Sequence, residues 1–115
     1  MQEQDFTRFI KEAITYNQLE RYFTTTAGTL EATASHFDLS PDLEAIRADQ
    51  ASNGGIKGSN AQRRMLMILV ALWQGFEADR LFGEGLGGIG RVIQSMDRTN
   101  RRLLSELIKS YPGWG

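Results

Sequence analysis

The sequence predicts an all-α fold in which residues 1–115 form one domain, a compact bundle of four to five helices around a buried central helix. Three observations predict it. Apolar residues recur at helical spacing along most of the chain, segment 65–73 is apolar around its whole circumference, and short stretches rich in glycine, serine or threonine separate the periodic segments. With 115 residues and 41% hydrophobic side chains, the chain can bury such a core in one domain.

The first predicted helix covers about residues 5–23. Its first apolar stripe has the i, i+3, i+4, i+7, i+8 spacing of one helix face and consists of Phe6, Phe9, Ile10, Ala13 and Ile14. A second run at helical spacing points well away from the first, because each residue turns the helix by about 100°. This second run consists of Tyr16, Leu19, Tyr22 and Phe23. The predicted helix therefore has two apolar faces.

A second helix is predicted over about residues 27–37. The apolar rhythm alone would carry one helix from residue 5 to residue 37, which would be ~50 Å long. A compact chain of this length has a radius of gyration of only ~13 Å. We therefore expect a break at 24–28, where three threonines and a glycine disfavour helix. An extended strand or a turn through Thr24–Thr26 is the competing interpretation.

Three further helices are predicted, over about residues 41–51, 60–82 and 89–111. Ser40 can cap the first of them, with Pro41 in the first helical position. Asn60 can cap the central helix after a glycine-rich linker, and the glycines at 83–88 end that helix. Pro112 stops the last helix. The apolar face of the last helix consists of Ile89, Val92, Ile93, Met96, Leu103, Leu107 and Tyr111.

The composition argues against most enzymatic and metal chemistry. Cysteine is absent, which excludes disulfides, thiolate metal sites and cysteine nucleophiles. His36 is the only histidine, so we expect no paired-histidine metal site and give His36, beside Asp38, a capping or surface role. The spacing G-x-G-x-x-G occurs within 83–90, but a dinucleotide site needs a preceding strand and a helix is predicted there. We expect no metal, no cofactor and no enzymatic activity.

The sequence also predicts a cytoplasmic protein that does not enter a membrane. Segment 65–73 is nine residues long, whereas a membrane span needs ~20 apolar residues. The acidic and polar start of the chain lacks the basic residues and the apolar run of a secretory signal.

A surplus of aromatic residues predicts a partner-binding surface. Aromatic side chains dominate many protein interfaces, and the second face of the first helix joins with Trp114 as a source of them. The predicted partner-binding residues are Tyr16, Leu19, Tyr22, Phe23 and Trp114. If they bury a partner or a second copy of the chain, Tyr22→Glu should weaken assembly without unfolding the monomer. The alternative is that the broken helix wraps its own core.

Basic residues form a line along the last predicted helix, opposite its apolar face. Arg91, Arg98, Arg102 and Lys109 fall within about 20° of one direction and span ~27 Å at ~1.5 Å per residue. The line predicts an electrostatic contact with an acidic protein surface or a nucleic-acid backbone, and a solvated outer face is the alternative. Asn100 lies within the apolar face, where a buried amide can fix a dimer pairing or bond a neighbouring loop.

Together these features predict a small regulatory protein-binding module that acts through its surfaces rather than through a catalytic motif. We expect an inhibitor or antiactivator, for example of a transcription factor or a host-defence complex, that covers a partner's surface and forms a homodimer. Residues 1–60 carry nine acidic and five basic side chains and residues 61–115 carry five and eight, an asymmetry that can orient a partner. The alternative is a small subunit of a nucleoprotein complex that contacts the backbone through the basic line.

Overall fold

Helix α1 (Gln2–Tyr16) buries the first apolar stripe, as its spacing predicts. The computed structural model describes residues 2–52, 54–82 and 89–114. These residues are mostly helical and compact, with a radius of gyration of 13.3 Å. The remaining described elements are β1 (Phe23–Thr25), β2 (Leu39–Pro41), α2 (Leu43–Ala51), α3 (Asn60–Phe82), α4 (Ile89–Gln94) and α5 (Arg98–Ser110), with single 3₁₀ turns at Glu20–Tyr22 and His36–Asp38.

Helix α1 ends at Tyr16, so the prediction of one helix to residue 23 is wrong. Gln18 adopts the left-handed conformation with φ 56°. The backbone N–H of Leu19 donates to the carbonyl of Ile14 at 2.9 Å and that of Gln18 donates to Thr15 at 3.2 Å, which together close the helix as a Schellman motif. The chain then turns, and the 3₁₀ turn directs the second apolar run into the core instead of onto a second helix face.

The segment after this turn forms a strand, so the competing extended interpretation is confirmed for Thr24 and Thr25. Strand β1 pairs antiparallel with β2, and Thr24 lies opposite Ser40. The predicted helix over 27–37 is absent, apart from the single turn at His36–Asp38. Threonine hydroxyls bond the loop instead: Thr25 Oγ1 accepts from the N–H of Ala27 at 3.1 Å and lies 2.6 Å from Thr33 Oγ1. Such bonds compete with helix formation.

Helix α2 falls within the predicted range 41–51, but its cap is Asp42 rather than Ser40. The Asp42 carboxylate accepts from the N–H of Ala45 at 3.1 Å, while Ser40 and Pro41 belong to β2. Aspartate is as good a cap as serine. The sequence therefore predicted this helix correctly but placed its first residue two positions too early.

Helix α3 matches the predicted range 60–82, but Ser59 rather than Asn60 caps it. The N–H of Ser59 donates to Gln62 Oε1 at 2.6 Å and the N–H of Gln62 donates to Ser59 Oγ at 3.2 Å, which is a capping box. Residues 65–70 are all buried. Extended backbone at Gln74, before Gly75, interrupts the helix, and the side chains at 71–73 are only partly buried. The fully covered part is thus shorter than the predicted segment 65–73.

The predicted helix over 89–111 is divided into α4 and α5 by the turn at 95–97. Asp97 has extended backbone, and its carboxylate caps α5 by accepting from the N–H of Asn100 at 2.8 Å. Helix α5 packs mainly against α1. No helix among the described residues is both long and apolar enough to cross a membrane.

Candidate partner-binding surface

The structure places most of the predicted aromatic partner-binding residues in the interior. Leu19 and Tyr22 are each 1% exposed and Trp114 is 6% exposed, so a partner cannot reach them in this conformation. Phe23 is half-buried and stacks on Trp114, with ring centroids 6.5 Å apart. Only Tyr16 is well exposed. The alternative interpretation, in which this part of the chain wraps its own core, describes Leu19, Tyr22 and Trp114.

Tyr22 is bound to a buried carboxylate. Its hydroxyl donates to Asp49 Oδ2 at 2.5 Å, and the other oxygen of Asp49 accepts from Arg21 at 2.9 Å. Burial and the hydrogen bond to Asp49 raise the pKa of Tyr22. Tyr22→Glu would bury a second carboxylate beside Asp49, and unpaired buried charge is strongly destabilising. This variant therefore cannot serve as a clean test of assembly, contrary to the sequence prediction.

His36 is buried, which corrects its predicted capping or surface role. It is 1% exposed, and its Nε2 lies 3.2 Å from the carbonyl of Gly113 while its Nδ1 lies 2.7 Å from Thr7 Oγ1. Because a carbonyl only accepts, Nε2 carries a hydrogen in its contact with Gly113. The Thr7 hydroxyl lies 2.9 Å from the carbonyl of Glu3 as well as 2.7 Å from Nδ1, and its single hydrogen can be donated to only one of these two acceptors at a time. Burial lowers the pKa of His36. The indole N–H of Trp114 donates to the carbonyls of His36 and Leu39, which fastens residues 113–114 to this cluster.

Asn100 is committed inside the chain. It is 1% exposed and forms a reciprocal amide pair with Asn17, with Nδ2–Oδ1 distances of 2.8 and 2.9 Å. Asn17 lies in the turn that follows α1, so the predicted bond to a neighbouring loop is confirmed. This amide is not available to pair a dimer.

The predicted basic line is divided between two helices. Arg98, Arg102 and Lys109 lie on α5, whereas Arg91 lies on α4. Lys109 pairs with Glu106 of its own helix, and Arg102 pairs with Glu12 of α1. Both pairs are solvent-exposed or nearly so, and exposed ion pairs contribute only about 0–1 kcal/mol. These two cations therefore remain able to exchange partners.

Large apolar side chains are exposed at Ile108 and Tyr111, which we call the apolar surface. Their exposed fractions are 65% and 44%, and Phe37, in another part of the chain, is 60% exposed. Phe37 and Tyr111 flank one buried cluster: the ring of Phe6 lies 5.4 Å from that of Tyr111 and 5.0 Å from that of His36, which in turn contacts Phe37 at 4.3 Å. Ile108 lies one helical turn before Tyr111.

Sequence reasoning missed all three of these exposed residues as site residues. Tyr111 was assigned to the predicted apolar face of the last helix, and Phe37 was the last residue of a predicted helix that does not form. Ile108 was outside the predicted apolar face of the last helix, although Leu104, Ile108 and Tyr111 have the i, i+4, i+7 spacing of a second stripe along its flank. That spacing was the signal available in the sequence.

A polar cavity of about 340 Å³ lies where α2, the following linker and α3 meet. Its cationic side chains are already engaged, because Arg63 donates to Asn60 and Arg64 also has a partner. Among the residues the structure describes, no cluster of three or more histidine or acidic side chains is arranged to hold a metal ion. We therefore assign no cofactor or metal to this cavity.

Comparisons with protein-family models, curated proteins and solved structures find no match to this chain.

Proposed function

We propose that this protein is a non-enzymatic regulatory module of the cytoplasm that binds another protein and covers its functional surface. The observation that carries the proposal is the apolar surface of Ile108 and Tyr111, which are exposed one helical turn apart at the end of α5. Single exposed apolar residues are ordinary, but neighbouring ones are more typical of interaction sites. Aromatic residues and arginine are the types enriched at interfaces, and arginines lie on the same helix as Ile108.

Tyr111 is held in place in the absence of a partner. The hydroxyl of Tyr111 donates to the carbonyl of Leu72 at 2.9 Å, and its ring packs against Phe6. Binding a fixed side chain costs less conformational entropy than binding a mobile one. We also propose that the helices are arranged as a bundle around α3, which would give this surface a rigid support.

A comparative capture experiment tests the proposal. The full chain, its Ile108→Glu variant and a control variant, Ala48→Glu on the exposed side of α2, are used as baits in extract of the native host. We expect one or more proteins to be retained by the wild type and the control and lost with Ile108→Glu, because a carboxylate cannot be buried in an apolar contact without cost. Identical retention by all three baits would contradict the proposal.

In one form of this proposal, the bound protein is a second copy of the chain, and the apolar surface forms the expected homodimer. Sedimentation equilibrium of the wild type should then show a dimer, and Ile108→Glu should yield a folded monomer. A wild type that stays monomeric at all accessible concentrations would remove the homodimer and leave the surface to a different protein.

The second candidate is a nucleoprotein subunit, favoured by the position of Arg98, Arg102 and Lys109 on one side of α5. Binding to a phosphate backbone releases counterions and weakens steeply with salt. Affinity for duplex or single-stranded oligonucleotides should then fall steeply between low and physiological salt in the wild type and be lost in Arg98→Glu/Arg102→Glu. Absence of oligonucleotide binding at low salt would exclude this candidate.

A further inference from the structure

We propose that the partner presents an amphipathic helix, acidic in one half and apolar in the other, which lies along one side of α5. This inference rests on the proposed function and adds the chemistry of the partner. The contact strip on α5 consists of Arg98, Arg101, Ser105 and Ile108. Its first half is cationic, and its second half has a small side chain at Ser105 and an exposed apolar one at Ile108.

The spacing of the contact strip suits a partner helix. The four residues are separated by three, four and three positions, which is the alternation that keeps side chains on one seam between two helices. They fall within about 80° of one another and span ~15 Å of the helix axis. All four side chains are exposed. Leu104 and Tyr111 widen the apolar half on one flank.

Neither arginine of the strip is paired with a carboxylate of the described residues. Among the residues that the structure describes, Arg98 forms no ion pair or hydrogen bond through its side chain, and Arg101 donates only to the carbonyl of Met96 at 3.2 Å. The other basic residues of α5 differ, since Arg102 and Lys109 each pair with a glutamate. The cations of α5 that lack an acidic partner among the described residues therefore both lie in the strip.

The position of these arginines is unfavourable for the helix itself. Arg98 is the first residue of α5 and Arg101 follows one turn later, where the helix dipole disfavours positive charge. The adjacent carboxylate of Asp97 accepts from Tyr16 and from the N–H of Asn100; its charge offsets part of this cost, but it pairs with neither arginine. Residues that break a local rule are typical of functional positions. What the strip lacks, among the described residues, is a carboxylate at ion-pair distance.

Charge complementarity then selects the occupant. Carboxylates opposite Arg98 and Arg101, followed by apolar side chains opposite Ile108, satisfy both halves at once. A nucleic-acid backbone would satisfy the cations but would leave Ile108 and Tyr111 against phosphates. A helix also favours acidic residues in its own first turn, so a suitable partner helix carries its acids at its N-terminal end.

The test uses a synthetic helical peptide of about 16 residues, which spans ~24 Å. Glutamates occupy one side of its first two turns, and leucine and phenylalanine continue that side. A second peptide has lysine in place of each glutamate. Binding to the full chain is measured by fluorescence anisotropy for four proteins: the wild type, Arg98→Glu/Arg101→Glu, Ile108→Glu, and a charge-matched control, Arg8→Glu/Lys57→Glu.

We expect the glutamate peptide to bind the wild type and the control with similar affinity. The double reversal Arg98→Glu/Arg101→Glu should bind this peptide about tenfold or more weakly, because its new charges repel the glutamates. It should bind the lysine peptide better than the wild type does, because its new charges attract the lysines. Ile108→Glu should weaken the binding of both peptides. The melting temperature of the double reversal should change little, since glutamate suits the first turn of α5 while Arg101→Glu removes the bond to Met96. A variant that is still folded at the assay temperature shows that a loss of binding is not a loss of fold.

The outcomes separate this inference from the proposed function. If neither peptide binds the wild type, or if the double reversal binds the glutamate peptide unchanged, the partner is not an acidic amphipathic helix. The capture experiment with Ile108→Glu can still succeed in that case. An oligonucleotide that binds the wild type more tightly than the peptide, and is unaffected by Ile108→Glu, overturns the inference in favour of a nucleic acid.

Discussion

Gln18 occupies a backbone conformation that glycine adopts far more readily. Its φ of 56° is required by the closure of α1, because the N–H groups of Gln18 and Leu19 turn back to carbonyls of the last helical turn. A side chain in this region clashes with its own backbone and costs roughly 1–2 kcal/mol. The residue is therefore a local source of strain at the end of the first helix.

Replacing Gln18 with glycine should stabilise the protein. We expect Gln18→Gly to raise the free energy of unfolding by about 0.5–1 kcal/mol, the relief of strain being partly offset by the greater freedom of glycine in the unfolded chain. Urea unfolding should show a higher midpoint with an unchanged slope. Gln18→Ala, which keeps a β-carbon, is the matched control and should give no such gain. A lower midpoint for Gln18→Gly would refute the assigned conformation.

His36 should make stability depend on pH. Burial holds its pKa in the folded state below the usual 6.5. Below pH 6.5 the unfolded chain binds more protons than the folded one. Stability is therefore fully present above about pH 6.5 and is lost as the pH falls through that value toward the lower pKa of the folded state.

The measurement is the free energy of unfolding at several pH values, for the wild type and for His36→Gln. Carboxylates titrate mainly below about pH 5, so the range from about pH 7 to pH 5 isolates the histidine. We expect the decline over this range to be shallower in His36→Gln, whatever its absolute stability. Equal slopes in the two proteins would show that His36 is not titrating as a buried group.

At the level of elements, the amide pair of Asn17 and Asn100 joins the end of α1 to the start of α5. Asn100→Ala leaves the buried Oδ1 of Asn17 without its donor, while Asn17 Nδ2 keeps its bond to the carbonyl of Ala13, and we expect a cost of about 1–3 kcal/mol in the free energy of unfolding. Asn17→Ala should cost at least as much, because it also removes the bond to Ala13. The double variant should be less destabilised than the sum of the two, because both single variants remove the same interaction.

The double-mutant cycle is measured by chemical denaturation of the four proteins. An interaction free energy near zero would mean that the two amides do not act together. Thr15→Ala, an exposed change in the last turn of α1, is a suitable control and should be nearly neutral.

The elements show how far the sequence determines the structure. Helices α2 and α3 were predicted because a capping residue precedes and a glycine-rich stretch follows each of them, although the observed caps, Asp42 and Ser59, lie two residues after and one residue before the predicted ones. The helix over 27–37 was predicted from spacing alone, and the threonine hydroxyls that bond the loop decided against it. The division of the last helix was signalled by Asp97, which is a good cap, but the continuous apolar spacing on both sides concealed it.

The candidate site was predicted less well than the fold. Tyr22 and Trp114 lie in the core because of contacts with Asp49 and His36, residues distant in sequence that no local pattern reveals. Arg98 and its helix were predicted from spacing within a single element. Features that depend on one local segment could therefore be predicted from the sequence. Features that depend on how separate segments pack together could not.

At the level of the whole molecule, Trp114 ties the end of the described chain to its middle. Its N–H donates to carbonyls of His36 and Leu39 at 2.8 and 2.9 Å, and its ring contacts Phe6 and Phe23. Trp114→Ala should cost about 3–5 kcal/mol, through loss of buried area and a remaining cavity. Trp114→Phe keeps part of the packing and should cost less.

Thermal unfolding followed by far-ultraviolet circular dichroism measures these costs. We expect the melting temperatures to follow the order wild type, Trp114→Phe, Trp114→Ala. A Trp114→Ala protein that melts with the wild type would mean that residues 113–114 are not part of the cooperative unit.

The two tryptophans differ in burial, and this difference has a spectroscopic consequence. Trp114 is 6% exposed, whereas Trp73 is half-buried beside the interruption of α3 at Gln74. Intrinsic fluorescence of the chain therefore combines a shielded emitter and a partly hydrated one. In the Trp73→Phe variant, the remaining tryptophan emission comes from Trp114, which lies three residues after Tyr111 in the sequence. A change in this emission can therefore report occupation of the apolar surface without an added label.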